Sequence, residues 1–221
     1  MSKEEQKVSF SNMDMMPPAI KSLLLLNVAL FLLTILFLTS FQFNLVEYLG
    51  LFHPDSEQFA LYQFFTHLFM HGSGLHIFLN MFVLWMFGSV LEHIWGMKKF
   101  LVYFLFTGLG AAILHTGVRT IQVNNLEEAT KQYVAAPSYK DFKQFREDKM
   151  GLLPRSMQER VKKLNNKWQD EPNNPNYIQQ SKTLVRDYLD LYTNMPTVGA
   201  SGAVYGVLMA FGILFPNIYV Y

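Results

Sequence analysis

Four stretches of this 221-residue chain contain no Asp, Glu, Lys or Arg: Ser22 to Val46, Gln58 to Leu91, Phe100 to Val118 and Leu191 to Tyr221. A helix rises about 1.5 Å per residue, so crossing a hydrocarbon core takes about 20 residues, and each stretch is long enough. Charge collects elsewhere. Of 18 Lys and Arg, 13 lie between Arg119 and Pro196, as do 10 of 17 Asp and Glu. A polar block inside an apolar chain excludes a simple soluble domain. It predicts an all-α polytopic membrane helix bundle with a soluble α-helical insert. The apolar run from Leu23 is too long for a signal-peptide core and has no small-residue cleavage site within reach.

The pattern divides the chain into four segments. Residues 1–21 read as a tail closed by Pro17-Pro18, and residues 22–118 as three spans with an aromatic interfacial loop between Thr39 and Phe65. Residues 119–196 read as the insert and 197–221 as a fourth span. Within the insert, Val161, Leu164 and Trp168 recur at helical spacing, as do Leu184, Tyr188 and Leu191, each set marking one apolar face. Lys3, Lys7 and Lys21 flank the first span, and Lys98 and Lys99 separate the second from the third. Alternating spans put both groups on one side, so the positive-inside rule predicts a cytoplasmic N-terminus and an extracytoplasmic insert. A net charge of +1 without a clustered basic face gives no sign of nucleic-acid binding. The absence of cysteine removes disulfides, thiolate metal sites and cysteine nucleophiles together.

Two constellations carry chemistry. In Thr197-Val198-Gly199-Ala200-Ser201-Gly202-Ala203-Val204-Tyr205-Gly206, a serine stands between glycines where a membrane helix begins. One reading is packing, because Gly202, Gly206 and Ala210 form a small-residue ladder, as do Gly199 and Ala203. The other is catalysis, with Gly199 and Gly202 admitting a substrate backbone and Ser201 at a helix N-terminus whose free N–H groups can hold an oxyanion. Both fit one helix. The second constellation is His67, His71, His76 and Asn80, within a run that has no formal charge. Polar groups at membrane depth need a partner or a task. His76 and Asn80, four apart, present side-chain N–H donors from one helix face. His67 and His71 share that spacing with zinc-binding helices, but Leu68 stands where the zinc motif needs Glu, so no metal is expected. No cofactor is implied either.

Taken together, His71, His76 and Asn80 on the second span, Gly199-Ala200-Ser201-Gly202 and Tyr205 opening a later one, and Glu92 and Gly96 between them resemble the rhomboid family of intramembrane serine proteases. The resemblance covers residues 20–118 and 197–221, four of the six spans it implies. It further implies cleavage of transmembrane protein substrates in the lipid bilayer by a serine–histidine dyad. Ser201 would be the nucleophile. Its N–H, with the His76 and Asn80 side chains, would form the oxyanion hole, His71 and Gly202 would support it, and Tyr205 would pack one turn below the serine against the catalytic histidine.

Two departures from that pattern shape expectation. The family's base lies on the sixth span, whereas no histidine follows Ser201 here, so the sequence reads as truncated and inert by itself. The insert is also longer than the usual connection, which suggests a role in selecting or shielding substrate. The alternative is a catalytically inactive rhomboid-like protein that binds transmembrane clients.

Overall fold

The computed structural model describes residues 16–151 and 153–216. Most of the tail read from the sequence, and the last five residues of the fourth span, lie outside the described residues. The described chain forms two compact units. One takes the residues up to Leu51, Ala60–Leu114 and those from Pro196 onward; the other takes Phe52–Phe59 and His115–Met195.

In the first unit, α1 (Pro18–Phe41) begins four residues before the boundary at residue 22 that its charge pattern suggested. Pro18 occupies the first helical turn, where the missing N–H costs nothing and the fixed φ favours helix. The next two N–H groups, which have no partner within the helix, go to another element. Ala19 N donates to Glu92 Oε1 at 2.8 Å and Ile20 N to Glu92 Oε2 at 2.9 Å. Glu92 is 3% exposed. A buried carboxylate thus lies against the positive end of the helix dipole and satisfies two orphan donors at once.

After the short helices α2 (Val46–Leu49) and α3 (Gln63–Thr66), the second long segment is α4 (Gly74–Val83), a π-turn over Leu84–Gly88, and α5 (Ser89–Trp95). It ends at Gly96, whose φ of 75° suits glycine. Helix α6 (Met97–Ala135) follows without a cap break. It passes through the boundary at residue 118 drawn from the sequence, because Arg119 to Gln122 contains neither Gly nor Pro to end it. α1, Gly74–Trp95 and α6 are each long and apolar enough to cross a membrane. α10 (Ser201–Leu214) is apolar with 14 residues.

Apolar side chains gain little by leaving lipid for one another, so membrane helices associate through close backbone approach. The small residues on α6 and α10 do this. A methyl group on Gly202 would lie 2.5 Å from Ala111 Cβ, one on Gly206 2.6 Å from Thr107 Cβ, and one on Gly108 3.2 Å from Ala203 Cβ. Tyr103 Oη then donates to the Gly206 carbonyl at 2.9 Å. Gly88, on the π-turn, makes room for Ile20 of α1.

The second unit comprises the later part of α6, α7 (Tyr139–Lys149), α8 (Arg155–Asp170) and α9 (Pro175–Thr193). Ser138 caps α7 by accepting the Asp141 N–H, and Asn174 caps α9 by accepting that of Asn176. Val161, Leu164 and Trp168 are buried, as are Leu184 and Tyr188, while Leu191 is half-buried against the same core. His53, on the Phe52–Phe59 segment, shares a hydrogen bond with Thr120, and Arg119 stacks on the Tyr192 ring.

Replacing Glu92 by leucine leaves two buried N–H groups without acceptors and should cost about 3 kcal/mol of folding free energy. Glu92→Gln, which keeps one acceptor oxygen, should cost roughly half as much. Detergent titration of the micellar protein, followed by helical circular dichroism, reads the difference.

Candidate active site

The approach to α10 is shaped by backbone hydrogen bonds to the segment before α4. Leu51 and Thr197 exchange a pair, Leu51 N to Thr197 O at 2.9 Å and Thr197 N to Leu51 O at 2.8 Å. Two residues on, Gly199 N donates to the His67 carbonyl at 2.9 Å. That bond turns Gly199 to a φ of 120°, which glycine alone adopts without strain. A methyl at this position would stand 2.6 Å from His76 Cε1, 2.7 Å from His76 Nε2 and 3.8 Å from Asn80 Nδ2. The glycine is needed there on two counts, backbone sign and space.

Ser201 therefore follows, by two residues, a backbone held against His76. It is the first residue of α10, half-buried, behind an Ala200 N-cap that offers no side-chain acceptor. The N–H groups of that first turn have no intrahelical partner and carry the positive end of the helix dipole. Ser201 Oγ makes no hydrogen bond among the described residues.

His76 and Asn80 lie one turn apart on α4, whose N-terminus is capped by Ser73 Oγ, the acceptor for His76 N at 3.2 Å. Asn80 is buried and its Nδ2 donates to His71 Nε2 at 3.2 Å. An amide carries two such hydrogens, so one remains for a further acceptor. The His71 and His76 rings meet edge to face with centroids 5.1 Å apart. Accepting at Nε2 fixes His71 as the neutral Nδ1–H tautomer. Nδ1 is buried and closes no hydrogen bond, although the Phe69 backbone is near enough to favour the protonated ring slightly. Burial, reinforced by the neighbouring His76, pulls the His71 pKa down to about 4. A neutral ring that accepts from Asn80 orients that amide.

His76, Asn80, His71 and Gly199 are thus gathered in one place, and Ser201 follows Gly199 by two residues. Gly202 belongs to the packing ladder against Ala111. Tyr205 is 71% exposed, and the histidine that the resemblance sets against it is not among the described residues. On α10 the faces of Ala203, Val204 and Val207 take the buried positions, leaving the 205–209–213 stripe outside. His67 is structural. Its ring Nδ1 donates to the Gln63 carbonyl at 2.8 Å and its own carbonyl holds Gly199. Among the described residues no group of three or more His, Asp or Glu is arranged to hold a metal ion. Sequence reasoning missed two supports, the His67 carbonyl and the Glu92 clamp. Only Glu92 left a signal, as the lone carboxylate between two long uncharged runs.

Residues 58–121 match the family model of the rhomboid domain. No curated protein and no solved structure matches the chain. The matched stretch is 64 of the 221 residues, and the described helices fit an all-α membrane helix bundle. The match includes His71, His76, Asn80 and Glu92, and Ser201 lies beyond it.

The His71 assignment has a pH signature. Unfolded, the ring binds its proton near the ordinary value of 6.5; folded, only near about 4. Its contribution to stability is complete above the first value and is lost as pH falls toward the second. Side-chain NMR should show neutral His71 at pH 5.5, and Asn80→Ala, by removing a donor to the neutral ring, should raise its pKa. Titration of His71 near 6.5 in the wild type would contradict the geometry.

Proposed function

We propose that this rhomboid-family membrane protein carries the site of an intramembrane serine endopeptidase acting on transmembrane protein substrates. The observation that carries this reading is Gly199 folded against His76 and Asn80 two residues before a serine at an uncapped helix N-terminus. Attack of Ser201 Oγ on a peptide carbonyl forms a C–O bond and moves charge onto the carbonyl oxygen. The Ser201 N–H, the His76 ring and the free Nδ2 hydrogen of Asn80 are the donors for that oxyanion. In a water-poor site, loss of one such donor costs about 3 to 4 kcal/mol of transition-state stabilisation. The polar wall of His71, His76 and Asn80 supports a hydrated recess where hydrolytic water can enter.

Serine needs a base to act at neutral pH. The resemblance assigns that role to a histidine on a later span, and none of the six histidines follows Ser201. The alternative reading is a rhomboid-like protein that holds transmembrane clients without cutting them. Lys3, Lys7, Lys21, Lys98 and Lys99 support a cytoplasmic N-terminus, with residues 119–196 on the opposite side.

A fluorophosphonate separates the two readings. Ser201 Oγ displaces fluoride from phosphorus and becomes covalently labelled. In native membranes the wild-type full-length gene product should be labelled at this residue and its Ser201→Ala variant should not. Labelling of the alanine variant at the same peptide would overturn the nucleophile, and an unlabelled but folded wild type would favour the client-binding reading.

A further inference from the structure

The second unit contains a cleft of about 570 Å³ between α8 and α9 that the proposed protease site does not use. Its α8 wall carries Arg160, Lys163 and Lys167, and no carboxylate lines it. Arg160 is partly neutralised by Asp187, 2.6 Å from its guanidinium. Lys163 and Lys167 enter no ion pair among the described residues, and both are exposed. Glu171 at the α8–α9 turn accepts from Asn174 on the cleft wall, so the two lysines are the cations of this wall that no carboxylate pairs with among the described residues.

The spacing of these cations says what fits. Helical rise puts Lys163 and Lys167 about 6 Å apart along the axis, with the row from Arg160 to Lys167 about 10 Å long. Alternate side chains of an extended peptide recur about every 6.7 Å on one face. Acidic residues at positions i and i+2 therefore meet the two lysines in register. A compact phosphate calls instead for donors converging on one point, which a row cannot supply. The α9 wall completes the fit: Asn176, Gln179 and Gln180 offer both amide donors and acceptors, the pair of functions that an extended backbone presents. Buried Leu164 and Leu184 form an apolar floor for intervening side chains.

We propose that the α8–α9 cleft is a docking site for an extended acidic polypeptide segment with carboxylates on alternate residues. Docking does not depend on peptide hydrolysis at Ser201, and its test uses binding alone.

The test uses the full chain in nonionic detergent and a fluorescent peptide of five Glu-Gly repeats, followed by anisotropy. Lys163→Gln/Lys167→Gln should weaken binding about tenfold, as the loss of two modest exposed charge contacts predicts. Lys140→Gln/Lys143→Gln, which removes the same charge from α7, should leave binding unchanged. All four substitutions are at the surface, and thermal melts confirm that each variant folds. Equal weakening by both pairs, or no peptide binding by the wild type, would overturn the proposal. So would displacement of the peptide by millimolar inorganic phosphate, or by micelles doped with phosphatidylglycerol in a Lys163- and Lys167-dependent manner, since a compact anion or a lipid headgroup would then be the ligand.

Discussion

In lipid, helices do not gain from hydrophobic contact as they do in water, and the bundle depends on how closely backbones can approach. Here the contact of α10 with α6 rests on Gly202 and Gly206 facing Ala111 and Thr107, and on Gly108 facing Ala203. Everything at the candidate site follows from that approach. With α10 seated on α6, its first residue is Ser201, and the backbone leading into it passes beside His76. A larger side chain at any of these positions would lift α10 and carry the serine with it.

Polar contacts provide what apolar packing in lipid does not. Glu92 receives the first free N–H groups of α1, and the His67 carbonyl receives that of Gly199. Each satisfies a backbone donor that would otherwise be costly at membrane depth. Both link segments distant in sequence, Glu92 to Ala19 and His67 to Gly199. They fix where helices begin, while the glycine ladder fixes how closely they lie. A helix start is also where a dipole and free N–H groups are available, which is why the serine is chemically interesting at Ser201 and would not be a few turns later.

Much of this was legible in the sequence because the bilayer allows so few solutions. Charge-free runs identify helices, and His76 with Asn80 four residues apart must share a face. In the Gly199 to Gly206 stretch, Gly202 and Gly206 pack against α6, whereas Gly199 turns the chain toward His76. What the sequence could not convey was long-range pairing. Nothing in residues 63–67 announces that a histidine carbonyl will hold a glycine beyond the insert, since every backbone carbonyl looks alike. Tyr205 stands on the α10 face opposite Ala203 and Val207 and is exposed there, and the histidine that the resemblance pairs with it is not among the described residues.

The most direct test of the account is the distance between Gly199 and His76. Solid-state NMR in lipid bilayers, with carbon-13 at glycine Cα and histidine Cε1, should give a cross-peak between these two residues that disappears in His76→Gln. Its absence from the wild type, while a cross-peak linking Gly206 Cα to the Tyr103 ring persists in a companion sample, would show that α10 packs as described but does not bring its serine to the histidine wall. The active-site assignment would then be wrong.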